Sequence, residues 1–160
     1  MNEITAAISP ADLAGVRRLF GEYSASVPVD LTLQHIDTEM ASLPGVYAPP
    51  RGALFLARAD GMPAGCIGLR EFSETVGEIK RLYVAPAFRG RGLARGLVAA
   101  AMAAGRSIGY DELVLDTLAT MTPAISLYLS FGFRRTGAYW ANPHPGVEYF
   151  RVSLVEESTR

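Results

Sequence analysis

Residues 84–96, Val-Ala-Pro-Ala-Phe-Arg-Gly-Arg-Gly-Leu-Ala-Arg-Gly, decide the reading of this chain. A strand-like run from Glu78 to Val84 leads into them and ends at a Pro-marked turn. A helical stretch with apolar residues at Leu93, Leu97, Val98 and Met102 leads out. The start of a helix carries backbone N–H groups without intrahelical partners and a partial positive charge, so it is a ready anion site. Gly90 and Gly92 let the backbone curl around phosphates without Cβ clashes, and Arg89, Arg91 and Arg95 add full charges. The stretch lacks the Gly-Lys-Ser/Thr ending of a triphosphate loop, and it lacks the G-x-G-x-x-G of a dinucleotide site.

What remains, Arg89-x-x-Gly92-x-Ala94, resembles the pyrophosphate-binding motif of the GNAT acyl-CoA-dependent N-acetyltransferases. Taken alone, a solvated strand-to-helix turn would explain it. A second element follows downstream: residues 124–133, Ala-Ile-Ser-Leu-Tyr-Leu-Ser-Phe-Gly-Phe, are similar to the superfamily's A-x-x-L-Y-x-x-x-G-F segment, with Tyr128 and Gly132-Phe133 in register. Between them, Leu113-Val-Leu-Asp-Thr117 fits the strand expected there.

Composition is consistent with a single domain over residues 1–160. A chain of 160 residues buries about 70% of its unfolded surface. Nearly half of the residues are apolar (49%) and only 19% are charged, so a packed core is expected rather than disorder. The net charge of −1 argues against a general polyanion binder, and no nucleic-acid partner is expected. Basicity is instead local to the stretch from Arg89 to Arg95. The single cysteine, Cys66, rules out an internal disulfide and reads as a small buried hydrophobe. Neither a signal-peptide pattern nor a bilayer-length apolar run is present, so the expectation is a cytoplasmic protein without a membrane partner.

Residues 2–8 suit an edge strand, and Ser9-Pro10-Ala11-Asp12 reads as a helix start with an apolar stripe at Leu13, Val16, Leu19, Phe20 and Tyr23. A weaker helix is predicted after Asp30, with Leu33, Ile36 and Met40 inward, followed by a Pro/Gly-rich loop from Leu43 to Gly52. Ala53–Ala59 and Ala64–Glu71 form a hairpin about Asp60-Gly61, and Ser73–Gly77 turns into the strand Glu78–Val84. The helix from the basic loop ends near Gly109. Strand 113–117, helix 123–130, strand 133–139, a loop over 142–146 and a last strand 147–155 complete the order β-α-α-β-β-β-α-β-α-β-β. That order predicts an α/β fold of the α+β kind, a mixed sheet flanked by helices. The resemblance implies the GNAT acyl-CoA N-acyltransferase fold: a mostly antiparallel sheet with one parallel pair, Glu78–Val84 and Leu113–Thr117, splayed to admit a pantetheine arm.

Acetyl transfer from a thioester to an amine asks for three things. The amine must lose a proton, the carbonyl oxygen needs a hydrogen bond as it gains charge, and the thiolate must leave. An alkyl amine of pKa near 10 leaves only roughly one molecule in a thousand nucleophilic at neutral pH. The thiolate, with a pKa near 8.5 by analogy with cysteine, is already a fair leaving group. The resemblance implies that acetyl-CoA is the cosubstrate, with no metal, and that Gly90, Arg91, Gly92, Leu93, Ala94 and Arg95, following Arg89, hold its pyrophosphate. It further implies that the main chain of Leu82, Tyr83 and Val84 holds the acetyl and pantetheine amides, one N–H serving as oxyanion donor. Tyr128 matches the residue that acts as general acid or hydrogen-bonds the coenzyme sulfur. Some relatives place an Asn near the start of this helix, where this chain has Met121 and Thr122.

Glu78 is the first candidate for the base, against a solvated carboxylate paired with Lys80 or Arg81, and Asp116 is its rival, against a loop-capping role. His35 and His144 are lesser candidates, and Tyr139, Trp140 and Asn142 sit where family members shape the acceptor cleft. The expected reaction is acetyl transfer from acetyl-CoA to a primary amine, of a small molecule before a protein terminus or lysine, by direct attack in a ternary complex. The alternative class is an acyl-CoA-binding sensor without transfer. Homodimers are common in the family, and nothing in the sequence identifies an interface.

Overall fold

A computed structural model describes residues 1–27 and 35–155. Its strands are β1 (Asn2–Ala6), β2 (Ala53–Ala59), β3 (Met62–Glu71), β4 (Val76–Val84), β5 (Glu112–Leu118), β6 (Arg134–Thr136) and β7 (Val147–Ser153). Its helices are α1 (Pro10–Ser26), α2 (Ile36–Ser42), α3 (Leu93–Ile108) and α4 (Thr122–Ser130), with short 3₁₀ turns at Gly45–Tyr47 and Pro86–Phe88. The seven strands form one sheet in the order β1-β2-β3-β4-β5-β7-β6. Every pairing is antiparallel except β4–β5.

Local chemistry explains where these elements begin and end. Ser9 and Asp12 close a reciprocal capping box on α1, with Pro10 in the first turn, and Asp12 also pairs with Arg58 of β2. Arg58 is the first cause that holds the Asp12 carboxyl down to about 2. Helix α3 ends at Gly109, whose φ of 103° is the left-handed stop.

Two apolar layers cover the sheet. On one face α1 lays Val16, Leu19 and Phe20 against Leu56, Cys66 and Tyr83. On the other, α3 lays Leu93, Leu97, Val98 and Ala101 against Ile67, Ile79 and Leu113, with Tyr128 of α4 in the same layer. Cys66 is fully buried, as expected, and burial pushes its thiol far up.

Several element bounds differ from the sequence expectation. The strand expected over 133–139 is only Arg134–Thr136, because pairing with β7 stops at Tyr149 and residues 137–146 carry other contacts. Helix α2 is seen from Ile36, while Leu33 lies outside the described residues. The last strand stops at Ser153 rather than 155. Among the described residues no helix is long and apolar enough to cross a membrane.

Candidate active site

The parallel pair is where the sheet opens. Strands β4 and β5 are in register only over Val76–Glu78 and Glu112–Val114. Beyond that point β4 stays paired with β3 as far as Val84, and β5 stays paired with β7 as far as Leu118. Each strand follows its own half-sheet, so the main chain from Ile79 onward faces a gap. A bulge contributes: register with β3 shifts between Cys66 and Gly68, and Arg81 takes a φ of 62°. An extra residue in one strand bends it and re-aims its groups. Side chains hold the strained residue in place, with the Arg81 guanidinium gripping Glu39 of α2 through Nε (3.1 Å) and Nη2 (2.9 Å). The Tyr47 hydroxyl donates to the same carboxylate at 2.9 Å.

At the mouth of the gap lies the Arg/Gly loop. Among the described residues, the backbone N–H groups of Gly90 through Arg95 donate no hydrogen bond, and Gly96 is the first to turn back, onto the Gly92 carbonyl. Gly90 and Gly92 sit at φ 80° and 78°, and a Cβ at either would meet nothing within 4 Å. The glycines are therefore required by backbone conformation rather than by crowding within the protein. The three arginines are exposed but engaged. Arg89 Nε donates to the Val84 carbonyl at 3.0 Å, Arg91 to Asp60 at 3.2 Å and Arg95 to the Ser130 hydroxyl at 3.2 Å.

Glu78, the first candidate for the base, is buried rather than solvated, and the partners seen for it are not Lys80 or Arg81. Tyr139 donates to Oε2 at 2.6 Å, and Arg70 Nε lies 3.9 Å from Oε1. Burial, then the neighbouring Glu78, pushes the Tyr139 hydroxyl far up, so it stays a donor. Asp116 anchors the loop before β7: its Oδ2 accepts from Trp140 Nε1 at 2.6 Å and from Asn142 Nδ2 at 3.0 Å. Tyr128 is buried in the α3/α4 layer with its ring 5.6 Å from Phe133. Burial pushes its hydroxyl far above the ordinary tyrosine range.

Two clefts meet at Lys80. One lies at the parted strands, bordered by Tyr23, Lys80, Arg81, Asp116, Asn142 and His144. The His144 Nε2 is buried there without a partner among the described residues. The other collects Glu78, Lys80, Tyr139, Trp140, Arg70 and His35. The sequence candidates thus divide: Glu78 with Tyr139, Trp140 and His35 on one side of Lys80, and Asp116 with Asn142 and His144 on the other. Tyr128 lines neither cleft. Leu82 packs on the α3 layer, while the Tyr83 side chain is buried on the α1 side with its hydroxyl 3.4 Å from Glu22, so their main chain is what they turn to the gap.

Arg70 and the Arg81–Glu39–Tyr47 cluster went unread in the sequence. For Arg70 a signal existed, since a hairpin turning over Ser73–Thr75 sets it opposite Glu78. For the cluster none did, because Glu39 and Arg81 are 42 positions apart and meet only when α2 docks.

A family model described as acetyltransferase (GNAT) family matches residues 18–133. An uncharacterised N-acetyltransferase of Schizosaccharomyces pombe is 40% identical over 94% of each chain. The human N-acetylaspartate synthetase is 33% identical over 92% of this chain and 47% of its own length. A solved Klebsiella pneumoniae structure assigned as an acyl-CoA N-acyltransferase superposes with a TM-score of 0.76 at 27% identity, covering 97% of this chain and 99% of that one. The run of open N–H groups at the start of α3, the parted parallel strands and these likenesses agree, and the chain belongs to the GNAT family as an acetyl-CoA-dependent N-acetyltransferase.

Proposed function

We propose that this enzyme moves the acetyl group of acetyl-CoA onto the primary amine of a small molecule, by direct attack in a ternary complex. The observation that carries the reading is the junction of the two clefts at Lys80. It gives a thioester lying between β4 and β5 and an amine beside Glu78 a common border. A human relative whose name gives a small acetylated product supports a small-molecule acceptor.

In this reading the pyrophosphate lies on the N–H groups of Gly90 to Arg95, where a helix start favours anions. Glu78 takes the amine proton, directly or through a water. The amine nitrogen attacks the carbonyl carbon, and the oxygen gains charge against a main-chain N–H of Leu82–Val84. The C–S bond breaks as the thiolate leaves against the Tyr128 hydroxyl, which burial keeps protonated and so able to donate to the sulfur, and the second proton shed by the acylated nitrogen balances the one the thiol gains.

The test is free-thiol release from acetyl-CoA over a mixed panel of small amines, with N-terminal and lysine peptides alongside. Rapid release with small amines and slow release with peptides is expected. Faster release with peptides would move the acceptor to the protein class, and acetyl-CoA binding without release from any amine would mean a sensor.

A further inference from the structure

We infer that the acceptor is an amino acid whose carboxylate is held by Arg70 and Lys80 while its amine faces Glu78, an assignment that rests on the transfer reading above. The strand register places Arg70 of β3 directly opposite Glu78 of β4. Lys80, two residues further along β4, borders the same cleft. Both cations are under-used. Arg70 Nε is buried without a hydrogen-bond partner among the described residues, and its approach to Glu78 Oε1 is 3.9 Å. Buried polar groups are normally satisfied, so an orphaned guanidinium N–H points to a ligand atom. Lys80 Nζ lies 5.8 Å from the centre of the Trp140 ring and forms no ion pair among the described residues.

The cleft's other carboxylate does not answer them, since Glu39 is already held by Arg81 and by the Tyr47 hydroxyl. Nor is Glu78 wholly available: Tyr139 occupies Oε2, leaving Oε1 on the side of Arg70. Two cations therefore stand against one partly occupied carboxylate. An acceptor that is a neutral amine at the moment of attack and carries a carboxylate balances that excess. An α-amino acid bears both groups on one carbon, which suits a cation and an anion set side by side across a strand pair. A guanidinium is the side chain best shaped to grip a carboxylate with two parallel hydrogen bonds. Phe72, Tyr139 and Trp140 leave aromatic walls for the rest of the acceptor.

The experiment compares initial rates of thiol release, at saturating acetyl-CoA, for the common L-amino acids and for their α-carboxamides. The amide keeps the amine and the side chain and removes only the negative charge. Wild-type enzyme should favour at least one free acid over its amide by about tenfold or more in kcat/KM. Arg70→Gln should raise KM for that acid by about tenfold with little change in kcat, should cost the amide several-fold less than the acid, and should be partly rescued by Arg70→Lys. Lys80→Met should act in the same sense and more weakly. Amides that match their acids in the wild-type enzyme, a comparison needing no variant, would overturn the carboxylate site while leaving acetyl transfer intact. Equal losses on acid and amide in Arg70→Gln would overturn it too. Absence of thiol release from every acid and amide, with acetyl-CoA binding retained, would overturn the transfer reading itself.

Discussion

Tyr128 and Glu78 are proposed to work at opposite ends of one proton budget, and each leaves a different mark on the rate. Tyr128 is buried, and its hydroxyl titrates far above the ordinary tyrosine value of about 10. It therefore stays protonated across the working range, and its contribution should not vary with pH. Tyr128→Phe should lower kcat by about a hundredfold, the low end for a positioned acid because a thiolate leaves readily. That factor should hold constant from about pH 6 to 9, with the Kd for acetyl-CoA unmoved. Steady-state rates across pH check this, and an unchanged kcat in a chemistry-limited assay would falsify the acid role. Glu78→Gln should behave otherwise. Its loss should be largest at neutral pH and shrink as pH approaches the amine's own value near 10, where the substrate deprotonates itself. A loss that is flat with pH would move the base to the cleft holding Asp116 and His144. Both residues are candidates from the sequence alone. The burial of Glu78 and the two donors on Asp116 were not legible there, because they depend on Tyr139, Trp140 and Asn142 folding back from a loop distant in sequence.

At the scale of elements, the strand–loop–helix from Val76 to Ile108 is the unit proposed to hold the coenzyme. Its signals are local, which is why the strand, turn and helix expected around residues 84–96 are all seen: a Pro-marked turn, two glycines and an amphipathic helix fix the backbone within a few residues. The role of the glycines needs restating, since Gly92 is required by its φ of 78° and meets no neighbour that a Cβ would strike. Gly92→Val should therefore fold, with a backbone strain of roughly 1–3 kcal/mol. Calorimetry should find its acetyl-CoA affinity lowered by a hundredfold or more (about 2.7 kcal/mol), because the run of N–H groups loses its curl. Undiminished affinity would place the phosphates on another element. Strand β6 is the opposite case: a strand is expected over 133–139, but only the residues that β7 reaches, Arg134–Thr136, pair with it. Strand length is settled by the partner, not by the segment's own pattern.

In the whole molecule, two half-sheets meet at a short parallel seam, and beyond Glu78 a contact between layers reaches the bulge of β4. Glu39 of α2 grips Arg81 at the bulge of β4, with the guanidinium almost fully buried. Removing one member of a buried ion pair costs about 3–5 kcal/mol. Glu39→Ala should thus lower unfolding stability in urea by about 3 kcal/mol and weaken acetyl-CoA binding along with it. Unchanged stability and affinity together would mean the bulge holds itself. By itself the sequence determined the order of elements, the glycine-marked start of α3 and the family, because each is written in contiguous residues whose periodicity, turns and caps act over a few positions. Only the tertiary structure decided the cleft: which face of β4 carries Glu78, that Arg70 stands beside it with an unanswered N–H, and that Glu39 is already taken. Those facts arise from side chains up to 61 positions apart meeting across strands and layers, as Tyr139 and Glu78 do, and no local pattern encodes such a meeting.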